Sequence, residues 1–144
     1  MIHPGITNRK SYVPTQRPST IRLRASLLEE ANAIVEREYA SDLSLDDIAR
    51  RVASSRRQLQ RAYAEIGNTT FREHLTAVRM IRAAEMLASR GLTVREVAHR
   101  VGYRQPAQFA KAFRRHHGSS PSAFRSRAPD SGRDDGSRVA FETA

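Results

Sequence analysis

Cysteine is absent from this chain of 144 residues, and the absence removes several kinds of chemistry at once. Disulfide bonds, thiolate nucleophiles and cysteine-bound zinc are all excluded. The five histidines never fall at the i, i+4 spacing that a metal site on a helix uses. We therefore expect no metal, no cofactor and no catalytic residue, and we predict that the protein is not an enzyme.

Long apolar runs are missing as well. No stretch approaches the roughly 18 consecutive apolar residues of a transmembrane helix. The N-terminal segment also lacks the continuous apolar core of a signal peptide. We therefore expect a soluble, cytoplasmic protein with no membrane partner. Its length suits one modest domain with tails, or two very small subdomains that share a helix.

Positive charge, in contrast, is abundant and unevenly distributed. The net charge is +10, and residues 51–125 hold 15 basic and four acidic side chains, whereas residues 26–50 are net acidic. A polyanion is the natural partner for such a surface, because each neutralised phosphate releases condensed counterions. A genome rich in G and C could also produce an excess of arginine, so charge alone leaves the partner open.

One pattern of apolar, small and basic residues occurs twice, at residues 44–71 and 93–121. Each copy predicts a helix, a tight turn and a second helix. The second copy is displaced by 49 positions at first and by 50 after a one-residue insertion in its turn. The paired positions are Ile48 with Val97, Ala49 with Ala98, Val52 with Val101, Leu59 with Phe109, Arg61 with Lys111, Tyr63 with Phe113 and Asn68 with Gly118.

Signals for helix starts recur between the polar ends of the chain. Five hydroxyl residues stand three positions before an acid or amide, as in a capping box: Ser26 with Glu29, Ser44 with Asp47, Ser55 with Gln58, Thr70 with Glu73 and Thr93 with Glu96. Pro106 and Pro121 each suit the first position of a further helix. We therefore predict an all-α domain of seven helices over residues 25–126, between a flexible basic N-terminal arm, residues 1–24, and a flexible tail, residues 127–144.

In the second helix of each unit, the spacing of apolar residues predicts one face in the core and one face in solvent. In the first unit Leu59, Ala62, Tyr63 and Ile66 should face inward, and Arg57, Gln60, Arg61 and Ala64 outward. In the second unit Phe109, Ala112, Phe113 and His116 should face inward, and Ala107, Gln108, Lys111, Arg114 and Arg115 outward. Arginine can pair with guanine and glutamine with adenine in a major groove. For any single residue, an ordinary solvated surface is the better explanation. Two matched rows in a protein of this charge favour binding to double-stranded DNA instead.

The same residues resemble the DNA-binding domain of AraC/XylS-type transcriptional regulators over about residues 26–125. The matching motifs are I-A-x-x-V, L-x-R-x-Y, R-M-x-x-A-x-x-M-L, V-G-Y, F-x-K-x-F and G-x-S-P-x-x-F-R. The resemblance implies two homeodomain-like helix-turn-helix units, at about residues 44–67 and 93–117, joined by a long linker helix at about residues 71–90. Each unit would place a recognition helix in one of two adjacent segments of the major groove.

The resemblance also implies roles for individual residues. Base readers would be Arg57, Gln60 and Arg61 in the first unit and Pro106, Ala107, Gln108 and Lys111 in the second. Phosphate contacts would come from Arg56, Arg104, Arg114 and Arg115. Relatives often carry polar side chains where this chain has Pro106 and Ala107. We therefore expect the first unit to read bases strongly, the second to anchor the protein more weakly, and the DNA site to be asymmetric. Ala53 stands opposite Gly102 of the second turn and would be strained if left-handed, while Arg79 in the linker helix is expected to form a structural ion pair.

Three classes of function compete. The leading prediction is a sequence-specific transcriptional regulator of stand-alone type, monomeric on DNA, with RNA polymerase as a candidate partner for the acidic residues 26–50. An architectural or nucleoid-associated DNA binder with low sequence specificity is the alternative. A DNA-repair methyltransferase, which can carry a similar domain, would need a cysteine acceptor that this chain does not have.

Overall fold

A computed structural model describes residues 18–89 and 91–128 of the chain. This part is all α-helical, as predicted, and contains seven helices and no strand. The helices are α1 (Pro18–Glu38), α2 (Leu45–Arg51), α3 (Arg56–Glu65), α4 (Phe71–Ala88), α5 (Val94–Arg100), α6 (Pro106–His117) and α7 (Pro121–Arg127). No helix in these two ranges is long and apolar enough to cross a membrane.

The first helix corrects one predicted boundary. The chain is already helical at Pro18, and Ser26 lies inside α1 instead of capping it. The additional turns are not isolated, because the guanidinium group of Arg24 pairs with the carboxylate of Glu65 at the end of α3. Residues 18–24 are therefore helix and not part of an arm. The remainder of the predicted arm and nearly all of the predicted tail, residues 1–17 and 129–144, lie outside the described residues.

The other predicted helix starts are confirmed. The side chains of Ser44, Ser55, Thr70 and Thr93 each accept a hydrogen bond from the backbone N–H three residues later. At Thr70 and Thr93 the glutamate also reaches back to the backbone of the cap, which completes the capping box. These contacts fix where α2, α3, α4 and α5 begin.

The turn inside each unit contains one left-handed residue, which is alanine in the first unit and glycine in the second. Ala53 has φ 53° and Gly102 has φ 99°, so both turns use the left-handed conformation and the predicted strain at Ala53 is confirmed. The ends of the two recognition helices use it too, with φ 50° at Asn68 and φ 81° at Gly118.

Two separate hydrophobic cores lie on either side of one point in α4. The first core joins α1, α2 and α3 to the beginning of α4, and the second joins α5 and α6 to the rest of α4. Val78 is buried in the first core and Met80 in the second, so the boundary falls at Arg79. Tyr39 packs against both cores. The fold is therefore two small helical units built on one shared helix.

Candidate nucleic-acid interface

Helix α3 presents the predicted polar row to solvent. The buried residues of this helix are Leu59, Ala62 and Tyr63, which leaves Arg57, Gln60 and Arg61 exposed on the opposite side. Among residues 18–89 and 91–128, no carboxylate forms an ion pair with Arg57 or Arg61. Their donors are therefore available to a ligand.

Helix α6 presents a second exposed row, with different chemistry. Phe109 and Phe113 are its buried residues, while Pro106, Ala107, Gln108 and Lys111 are exposed. Pro106 is the first residue of the helix, where its missing N–H leaves no hydrogen bond unmade. This row offers one amide and one ammonium group beside two apolar positions.

An open cleft brings parts of both rows together. Gln60 of α3 and Gln108 of α6 line the same cleft, whose floor is formed by the first half of α4 and by Tyr103. The two helices therefore open onto a common side of the molecule. Helix α4 connects the two units. It has 18 residues, so at 1.5 Å per residue it is about 27 Å long. Arg57, Arg61, Pro106, Ala107 and Lys111 do not line the cleft and lie on the exposed surfaces outside it.

The four predicted phosphate contacts are all exposed, but they are not equivalent. Arg56 starts α3 and lines the cleft, where its Nη1 lies 3.2 Å from Oδ2 of Asp46. Arg104 lies in the turn before α6, and Arg114 and Arg115 lie in the last turn of α6. In the described ranges these three have no acidic partner within ion-pair distance. Only Arg56 would have to leave an existing pair to bind a phosphate.

Two residues of α4 were missed by the sequence reasoning. Arg72 is exposed and Thr76 partly exposed, and both line the same cleft as Gln60 and Gln108. Arg72 also forms no ion pair within the described residues. Helical spacing could have shown that the two share a face of α4, but no sequence signal says that this face opens between the recognition helices.

Two of the predicted inward positions are wrong. Ile66 is 38% exposed at the end of α3, where the chain leaves the helix. On α6, His116 is exposed, while His117 turns inward and places Nε2 3.0 Å from the carbonyl oxygen of Met80. The His117 ring also packs 4.4 Å from that of Phe113. The i, i+4 row of Phe109 and Phe113 continues to position 117, whereas the prediction stopped one residue short.

The aromatic residues of the two recognition helices belong to the cores. Tyr63 is 1% exposed and Phe113 is 0% exposed, so neither ring can stack on a base without unfolding its unit. In residues 18–89 and 91–128, no group of three or more metal-ligating side chains occurs. The two exposed rows therefore offer arginine, lysine and glutamine donors.

The protein has two helix-turn-helix units on a shared helix, and each unit carries an exposed polar row. These features place it in the class of helix-turn-helix proteins. A family model described as a helix-turn-helix domain matches residues 37–127, which is more than half of the chain. The chain belongs to this family, the AraC-type helix-turn-helix domains of transcriptional regulators.

Relatives and solved structures agree with that assignment. The Msm operon regulatory protein of Streptococcus mutans is 32% identical over 98 residues, which are 68% of this chain and 35% of that protein. The C-terminal domain of AraT, a response regulator from Geobacillus stearothermophilus, is 31% identical with a TM-score of 0.70, covering 76% of this chain and 92% of that one. The DNA-binding domain of AdpA, a global transcriptional factor solved in complex with a target DNA, is 30% identical with a TM-score of 0.63, covering 69% and 89%.

The coverage of these relatives is unequal. This chain spans only 35% to 40% of the length of the first curated regulators that it matches. The similarity therefore concerns only one part of each of those proteins.

Proposed function

We propose that this protein is a sequence-specific, DNA-binding transcriptional regulator. Helices α3 and α6 enter adjacent segments of the major groove on one side of a DNA duplex. The observation that carries the proposal is the cleft lined by both Gln60 and Gln108, which opens the two recognition helices to the same side. Membership of the AraC-type family, and the DNA complex solved for AdpA, support it.

The two helices contribute unequally to base reading. On α3, Arg57, Gln60 and Arg61 supply guanidinium and amide groups that fit guanine and adenine edges. On α6, Gln108 and Lys111 supply the hydrogen bonds, while Pro106 and Ala107 offer only apolar contact to a thymine methyl group. The DNA site is therefore asymmetric, with more base pairs specified under α3 than under α6.

Contacts to phosphates hold the protein in register. Arg104 precedes α6, and Arg114 and Arg115 lie exposed in its last turn. Arg56 can exchange Asp46 for a phosphate oxygen. We add Arg72, which lines the cleft where the duplex backbone passes between the two groove segments. One chain carries two recognition helices, so the protein binds as a monomer, and its location is the cytoplasm, where it can reach the chromosome.

Selection of bound sequences from a random pool of duplex DNA tests the proposal. The expected product is one asymmetric site with two conserved segments about one helical turn apart. Replacing Arg57, Gln60 or Arg61 by alanine should cost about 1 to 3 kcal/mol per lost bidentate contact and relax the preference at particular bases. An architectural binder would give no conserved site, and each alanine variant would weaken binding equally on every sequence.

The acidic side of α1 is the proposed contact for RNA polymerase. Glu29 and Glu30 are exposed on α1, which does not line the cleft, whereas Glu36 pairs with Arg82 at 3.3 Å. The double change Glu29→Lys and Glu30→Lys should reduce activation of a reporter promoter and leave DNA affinity unchanged or slightly higher. A fall in affinity parallel to the fall in activation would contradict this assignment.

A further inference from the structure

Arg79 connects three parts of the fold that are distant in sequence. Its Nε donates a hydrogen bond to the carbonyl oxygen of Tyr39 at 2.8 Å, and its Nη2 donates to that of Ser41 at 3.0 Å. Both carbonyls belong to the segment between α1 and α2, in the first unit. The guanidinium carbon also lies 5.7 Å from the centre of the Tyr103 ring, which follows the turn of the second unit. One side chain of the shared helix therefore touches both units.

The backbones of the two units also meet beside Arg79. A β-carbon built on Gly102 would lie 3.0 Å from the carbonyl oxygen of Ala40 and 3.0 Å from the guanidinium carbon of Arg79. Any side chain there would push the turn of the second unit away from the first. Ala53, the corresponding turn residue of the first unit, is exposed, so only the second turn requires glycine for close approach.

The position of Arg79 within α4 gives these contacts their importance. Val78 is buried in the first core and Met80 in the second, so Arg79 stands at the junction between the two cores. Without a brace at that point, bending of α4 would change the angle between α3 and α6. Two directed hydrogen bonds from one planar guanidinium group resist such bending, since they fix both its position and its orientation.

We propose that Arg79 is a positioning residue that sets the angle and separation of the two recognition helices, and hence the spacing between the DNA segments that the protein accepts. The inference rests on the proposed function, in which α3 and α6 bind the same duplex. Arg79 also lines the cleft, but its Nε and Nη2 are engaged by the two carbonyl oxygens and are not free to read bases. A brace of this kind makes the protein discriminate by the distance between two short segments as well as by their sequence.

Binding to DNA sites of altered spacing tests this role. One or two base pairs are inserted or removed between the two segments of the selected site, and affinity is measured for the full chain. Wild type should lose about 100-fold on altered sites, the lower end of what linking two binding modules provides. Arg79→Ala should bind the original site less tightly than wild type does, and it should lose far less affinity on the altered sites. Arg22→Ala removes an equal charge from the exposed side of α1 and should keep wild-type discrimination.

A second measurement does not depend on DNA. Because the chain has no cysteine, spin labels can be attached uniquely to Ala64→Cys on α3 and His116→Cys on α6, and their distance distribution measured. The distribution should be narrow with Arg79 and broad or shifted with Arg79→Ala. Arg79→Lys keeps the charge but not the planar pair of donors, so it should give the same result as Arg79→Ala. It replaces Arg79→Ala in the measurement if that variant does not fold.

The outcomes separate the two proposals. Unchanged label distances and unchanged spacing discrimination in both Arg79 variants overturn the positioning role, even if wild type binds its site tightly. If wild type selects no DNA site, the proposed function fails, and the label distances still decide whether Arg79 sets the geometry of the two helices.

Discussion

The hydroxyl group of Tyr63 lies 3.2 Å from Nδ1 of His74, and the pair joins α3 to α4. Burial raises the pKa of Tyr63 to about 12. The phenol therefore keeps its proton. It donates to Nδ1 when that nitrogen carries no proton and accepts from Nδ1–H in the other tautomer. The first recognition helix is thus held to the shared helix by a bond whose direction depends on the tautomer of one histidine.

Acidification should weaken the fold through His74. Burial lowers the pKa of His74, against an opposing effect of the charge on Glu36. The unfolded chain therefore binds its proton first as the pH falls, so the free energy of unfolding should decrease below about pH 6.5 and level off below the lowered pKa of the folded state. Urea unfolding of wild type and His74→Gln at several pH values measures this. His99→Gln, at an exposed site, is the control, and an equally steep loss in His74→Gln would contradict the prediction.

The two turns should respond differently to exchange of glycine and alanine. Ala53→Gly relieves about 1 kcal/mol of left-handed strain but increases the entropy of the unfolded chain, so stability should stay within about 1 kcal/mol of wild type. Gly102→Ala adds strain at φ 99° and a contact with Ala40, so it should destabilise the fold by clearly more than 1 kcal/mol. Chemical unfolding compares them, and equal losses in both variants would show that close approach at Gly102 does not matter.

The ring of Phe113 should contribute to stability and not to base reading. It is fully buried and contacts the rings of Phe109, His117 and Phe124. Phe113→Ala should lower the free energy of unfolding by about 3 to 5 kcal/mol, whereas His116→Ala on the exposed side of α6 should change it by less than about 0.5 kcal/mol. The milder Phe113→Leu variant should retain the wild-type base preference when it is fully folded, and an altered preference would show that the ring reaches DNA.

Arg72 should act through charge alone. Arg72→Ala should weaken binding by the same factor on every sequence and reduce the slope of log affinity against log salt concentration by about 1. The matched control is Arg22→Ala, since Arg22 is exposed on α1 and does not line the cleft. Fluorescence anisotropy over a series of salt concentrations gives both slopes. A loss confined to particular base pairs would instead make Arg72 a base reader.

The sequence predicted most accurately what depends on near neighbours. Ser44, Ser55, Thr70 and Thr93 cap helices because both partners of each cap lie within three residues. Ser26 carries the same local signal but does not begin a helix. The helix extends back to Pro18, and Arg24 in this extension pairs with Glu65, 41 residues away. A local pattern cannot report such a distant contact.

The candidate site was predicted in part for the same reason. Helical period alone placed Arg57, Gln60 and Arg61 on one exposed face, and they are found there. The role of Arg72 was missed, because a place on the cleft depends on how α4 lies between α3 and α6. Arg79 was correctly expected to be structural, but the predicted ion pair is wrong, since its partners are the carbonyl oxygens of Tyr39 and Ser41.

The sequence by itself determined the two helix-turn-helix units, because helix period, caps and left-handed turn residues act over a few positions. Only the tertiary structure decided how the units stand relative to each other. That relationship depends on contacts between residues about 40 positions apart, such as Arg79 with Tyr39. Carbonyl oxygens occur at every residue, so no pattern of side chains marks the ones that a guanidinium group will find.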